Sequence, residues 1–126
     1  GKYKESLAEA KAAVNSDANN AIFRVVLGNA LSKTGDIKGA FQEYKVAIHL
    51  QADYENAHYH LGRVLAELND TNEAKYELAK ALELDPKDDR VVMLLDKLEK
   101  GENPGKTAES SAPAKSKSKA SDKSKD

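Results

Sequence analysis

The side chains here with the chemistry to hold a metal or move a proton are His49, His58, His60 and many carboxylates, and their spacing suits neither task. His58-Tyr59-His60 puts two imidazoles at i and i+2, where on a helix they diverge by about 200° and cannot meet at one ion. His49 stands alone in another segment. Gly28, Gly35, Gly39 and Gly62 do not gather into a phosphate-cradling loop, and cysteine is absent. No Ser/His/Asp or Cys/His set can be assembled, and the carboxylates alternate with lysines as they do on solvated helix faces. The expectation is a chain without catalytic residues, metal or cofactor. What remains is non-covalent recognition by cations, amides and apolar side chains.

Those side chains must be positioned by helices. Residues 21–54 and 55–88 align without a gap at a spacing of 34, with identities at Leu27/Leu61, Gly28/Gly62, Leu31/Leu65, Asp36/Asp70, Ala40/Ala74, Glu43/Glu77, Ala47/Ala81 and Leu50/Leu84. A fixed period of this length marks a stacked repeat array. Apolar residues recur at helical spacing, which predicts helices over about 3–15, 21–33, 37–50, 55–68, 71–84 and 89–100. Gly35-Asp36 and Asn69-Asp70-Thr71-Asn72 supply turn and cap chemistry, and Pro86 ends a further segment with Asp88 or Asp89 free to cap the next. Short connections predict antiparallel neighbours.

The pattern resembles the tetratricopeptide repeat (TPR). Its positions read His58, Leu61-Gly62, Leu65, Ala74, Leu78, Ala81 and Pro86 in one unit, and Arg24, Leu27-Gly28, Leu31, Ala40, Tyr44, Ala47 and Ala52 in the unit before. Small residues let the two helices of a unit cross closely, and His58, at the family's tryptophan position, is expected to pack. The resemblance implies an all-α solenoid of antiparallel helix pairs in a right-handed superhelix. Gly1/Gly35, Lys4/Lys38, Glu9/Glu43, Lys11/Lys45, Ala13/Ala47 and Ala18/Ala52 extend the offset backward. The expected organisation is therefore a second helix of a truncated repeat (1–20), two repeats (21–54 and 55–88) and a capping helix (89–100) with Asp96 in place of glycine. Residues 101–126 contain no Val, Ile, Leu, Met or aromatic residue and are expected to form a disordered tail.

The resemblance also implies a groove lined by the first helix of each unit, with rows Ile22/Asn56/Arg90, Val25/Tyr59/Met93 and Asn29/Arg63/Lys97. With Lys33 and His60 added, the candidate partner-binding residues are Val25, Asn29, Lys33, Asn56, Tyr59, His60, Arg63, Arg90, Met93 and Lys97. One row is apolar and aromatic and another is basic, which suits a protein or peptide partner with acidic groups and a few apolar anchors. The family's clamp for a chaperone C-terminal carboxylate falls on Val25, Asn29, His60, Arg90 and Leu94, where only Asn29 is identical and Arg90 conservative; that mode is not expected. A protein-interaction scaffold for a larger complex is the leading reading. Alternatives are a self-assembling element that stacks through Leu7, Ala10 and Val14 of the first helix, and a regulatory C-terminal domain of a larger enzyme.

Composition agrees with a globular helical chain: 126 residues, 40% hydrophobic, 33% charged and a net charge of −1. Residues 1–100 carry −3 and residues 101–126 carry +2, and no global field favours nucleic acid or an anionic membrane. No apolar run is long enough for a transmembrane span. Absence of cysteine does not choose a compartment, with the cytoplasm slightly favoured over periplasm or exterior.

Overall fold

The computed structural model describes residues 1–102. It holds six helices: α1 (Lys2–Ser16), α2 (Ala21–Lys33), α3 (Ile37–Leu50), α4 (Glu55–Glu67), α5 (Thr71–Leu84) and α6 (Asp89–Glu99). Each helix end lies within one residue of its expected place. The expectation for the tail, apart from Gly101 and Glu102, lies outside the described residues.

Chain reversals follow from local chemistry. Gly35 (φ 95°) and Asn69 (φ 68°), one repeat apart, take the left-handed conformation that glycine and asparagine tolerate best. The next amide then reaches back to close the helix, from Asp36 to the Leu31 carbonyl at 2.9 Å and from Asp70 to the Leu65 carbonyl at 2.9 Å. Asp36 caps α3 by accepting from the Gly39 amide at 2.8 Å, and Asp88 caps α6 by accepting from the Arg90 amide at 3.0 Å. Asp70 departs from expectation: its side chain makes no cap hydrogen bond to α5.

The helix pairs α2/α3 and α4/α5 cross on small residues. Ala40, Ala47, Ala74 and Ala81 are fully buried. A Cβ on Gly62 would lie 2.7 Å from Leu78 Cγ, and one on Gly28 would lie 2.5 Å from the Tyr44 ring. Those glycines are places where a helix makes room for one large side chain of its partner, and Leu78 and Tyr44 are both wholly buried there. In α6 the corresponding position is Asp96, which is exposed and pairs with Lys100 at 3.0 Å. No second helix crosses α6 among the described residues, so its side chain meets no steric limit.

Joints between units carry a repeated polar staple. Arg24 donates from Nε to the Ala18 carbonyl at 3.0 Å and from Nη1 to Glu43 Oε1 at 3.0 Å. One repeat later, His58 Nε2 faces the Ala52 carbonyl at 2.8 Å and Nδ1 faces Glu77 Oε1 at 2.8 Å. Both ring nitrogens meet acceptors, so only the doubly protonated ring donates to both. His58 is buried as expected, but it serves as a polar link between a loop and a helix as well as packing.

The second cluster of the core corrects an expectation about α1. Ala10 and Val14 are buried against Leu27 and Ala30 of α2, with Leu7 packed beside them. Ala10 and Val14 are therefore packed within the chain and not exposed on α1, and Leu7 is partly buried.

Candidate peptide-binding groove

Because α2, α4 and α6 each open a unit, the 34-residue period brings equal positions of the three helices side by side, and α4 touches both α2 and α6. Two hollows lie between them. The first, about 310 Å3, is lined by Asn29, Ser32, Lys33, His60 and Arg63. The second, about 370 Å3, is lined by Tyr59, Arg63, Glu67, Arg90, Met93, Leu94 and Lys97. Arg63 borders both, so the two form one continuous strip across three helices.

Nearly all the expected residues meet here. Asn56 does not line a hollow but accepts from Arg90 Nη2 at 3.1 Å beside the second one. Val25 is a correction: it is 2% exposed and belongs to the core, because it packs into the cluster with Ala40, Tyr44 and Ala57. A partner cannot touch it. Ser32, Glu67 and Tyr44 were missed, although Glu67 lies four residues after Arg63, a spacing that brings side chains together on a helix.

A buried relay fixes the first hollow. Arg63 Nη2 donates to the Tyr44 hydroxyl at 3.3 Å, and that hydroxyl donates to Asn29 Oδ1 at 2.5 Å. Arg63 Nη1 is held by Glu67 at 3.0 Å. The His60 ring stacks on Tyr44 with centroids 5.5 Å apart and meets Tyr59 edge-on at 4.9 Å. Burial, with smaller contributions from Arg63 and Arg90, pushes the His60 imidazole down to about 4, so it is neutral near pH 7. Burial also pushes the Tyr44 phenol up to about 12.

Arg90 anchors the other end. It lies over the Tyr59 ring at 4.2 Å, donates from Nη2 to Asp88 Oδ2 at 2.9 Å and stands 3.8 Å from Glu55 Oε1. Glu55, Asp85 and Asp88 bring their oxygens within 4.8 Å of one another. The guanidinium is the cation that answers this cluster: its hydrogen bond holds the Asp88 carboxyl well below the usual range. Glu55 is pushed up to about 7, first by burial and then by its hydrogen bond with Asp88. Lys33 and Lys97, by contrast, pair with no acid among the described residues.

A larger hollow, about 500 Å3, lies away from this strip. It is open between α3 and α5 over Leu61 and Leu65, with Phe41 and Ile48 on one wall and Asp70 and Glu73 on the other. Lys45 and His49 on the α3 side face the carboxylates of Asp70, Glu73 and Glu77 across it.

Stacked helical hairpins with equal positions of their leading helices side by side define a helical repeat solenoid. The tetratricopeptide repeat family model matches residues 33–98, just over half of the chain, and the chain belongs to that family. Among solved structures, it is similar to the first TPR of Spaghetti (RPAP3) bound to the HSP90 peptide SRMEEVD, with 23% identity, TM-score 0.76 and 80% of each chain covered. It is also similar to the second TPR domain of human RPAP3 in complex with the HSP70 peptide SGPTIEEVD, with 26% identity, TM-score 0.72 and coverage of 79% of this chain and 82% of that one. A third is the Yersinia enterocolitica type III secretion chaperone SycD in complex with a peptide of the translocator YopD, at 20% identity, TM-score 0.73 and coverage of 80% and 82%. No curated protein matches the chain by sequence. No helix among the described residues is long and apolar enough to cross a membrane.

Proposed function

We propose that this protein is a non-enzymatic interaction scaffold that binds a peptide segment of a partner along the strip formed by α2, α4 and α6, and so supports assembly of a larger complex. The observation that carries this reading is the shared position of Arg63 between two hollows, one rich in donors and the other floored by Tyr59 and Met93. The partner segment is acidic, with at least one apolar side chain to cover Met93, which is 61% exposed. Neighbouring folds hold peptides, in two cases acidic ones, which supports the same kind of ligand here.

The test uses residues that do not hold the fold. Met93 and Lys97 are exposed, so Met93→Ala and Lys97→Ala are expected to weaken capture of the partner by roughly three- to tenfold each while leaving the helical circular dichroism unchanged. Partner capture that survives both substitutions together moves the binding face away from this strip.

A further inference from the structure

The two hollows are chemically unequal, and the difference traces to one residue. Tyr44 of α3 is replaced one repeat later by Leu78, which has no hydroxyl. In the first hollow the tyrosine hydroxyl accepts from Arg63 and donates to Asn29 Oδ1. That direction occupies the acceptor oxygen of Asn29 and leaves its amide N–H groups for the hollow that Asn29 lines. Ser32 adds a hydroxyl, and Lys33 and Arg63 add cationic donors. Lys33 is exposed and pairs with no acid among the described residues, so none of these cancels its charge. His60 forms the wall as a neutral ring, contributing shape and no charge near pH 7.

The second hollow lacks this relay. It shares Arg63 and has Lys97, but Arg90 is committed to Asp88, Asn56 and the Tyr59 face, Glu67 adds a carboxylate that already holds Arg63, and Leu94 and Met93 make its surface more apolar.

Resting on the groove reading above, we propose that the hollow between α2 and α4 is an anion subsite in which Asn29, Ser32, Lys33 and Arg63 take an internal side-chain carboxylate of the bound segment, while the hollow between α4 and α6 takes its apolar neighbour. Tyr44 is the positioning residue: it orients Asn29 and Arg63 from below and touches no ligand. The carboxylate accepts charge-assisted hydrogen bonds from Asn29, whose own acceptor is used by Tyr44, and from Lys33 and Arg63, which have no acceptor; a neutral amide in its place removes the charge and offers one accepting oxygen instead of two, with an N–H group where the other stood. A terminal carboxylate is not needed, because the charge is read on a side chain.

Three peptides and four variants test this on the full chain. The probes are the acidic nonapeptide SGPTIEEVD, its C-terminal amide, and the same amide with both glutamates replaced by glutamine. Binding is read by fluorescence anisotropy and by amide chemical shifts. The acid and the amide are expected to bind with affinities within about threefold, and the glutamine peptide roughly tenfold more weakly. Lys33→Glu and Ser32→Ala are expected to weaken the glutamate amide but leave the glutamine peptide unchanged. Tyr44→Phe keeps the ring and its packing, and is expected to reduce the ratio between glutamate and glutamine peptides. Lys45→Glu on α3 is the control and changes nothing. Loss of binding on amidation, or an unchanged glutamate preference in Lys33→Glu, overturns the subsite while the groove reading stands. Absence of shifts anywhere on α2, α4 and α6 with all three peptides defeats the groove reading itself.

Discussion

At the scale of the residue, Glu55 and His60 make opposite demands on pH. The folded chain holds Glu55 at about 7, above its ordinary value, so the neutral acid is favoured; its stabilising contribution is full below about 4.5 and is lost as pH rises through 7. His60 is held at about 4, below its ordinary value, so its contribution is full above about 6.5 and is lost as pH falls toward 4. Across the shared window the two offset each other. Thermal melts between about pH 4.5 and 7 are therefore expected to show Glu55→Gln gaining stability as pH rises and His60→Gln losing it, with the parent chain flatter than either. Parallel slopes in the two variants contradict the assignment. Gly62 gives a second test, because alanine is the better helix former by about 1 kcal/mol yet its Cβ would meet buried Leu78 at 2.7 Å. Overpacking costs ~1 to 3 kcal/mol and here has no room to relax, so Gly62→Ala is expected to lower the unfolding free energy in urea.

Elements were the most legible part of the sequence. Helix ends are set by residues acting on their own neighbours, such as Gly35, Asn69 and Asp88, and this chemistry can be read without knowing what lies across the fold. Partnerships between helices were harder. Val25 sits in the same row as Tyr59 and Met93 by number, but it packs into the core cluster with Ala40, Tyr44 and Ala57. Tyr44 stands at a pattern position of the repeat, and nothing in its local sequence indicates that its hydroxyl joins Asn29 to Arg63. The staples were half visible: Glu43/Glu77 repeats as an identity, whereas Arg24/His58 does not and needs three-dimensional contact to be recognised as one device. Their equivalence leads to an expectation at this scale. Glu43→Ala and Glu77→Ala each remove one acceptor from a joint between a loop and two helices, and each is expected to lower stability by about 1 to 3 kcal/mol in chemical denaturation. A null effect in both removes the carboxylate arm of the staple, which ties the two helices of one unit, from the account of stability.

For the whole molecule, repetition builds the frame and departures from it provide selectivity. Leu27/Leu61, Gly28/Gly62 and Ala40/Ala74 hold equal roles in both units. Tyr44/Leu78, Asn29/Arg63 and Lys33/Glu67 differ, and these differences separate a donor-rich hollow from a more apolar one. The central claim is that this strip, and not the larger gap between α3 and α5, receives the partner. Titration of the isotope-labelled chain with the acidic nonapeptide tests it most directly. The expected result is a set of amide shifts centred on Asn29, Lys33, Tyr59, Arg63, Met93 and Lys97, with Phe41, Ile48 and Glu73 unmoved. Shifts centred on Phe41, Ile48 and Glu73, with the α2/α4/α6 strip silent, would contradict it.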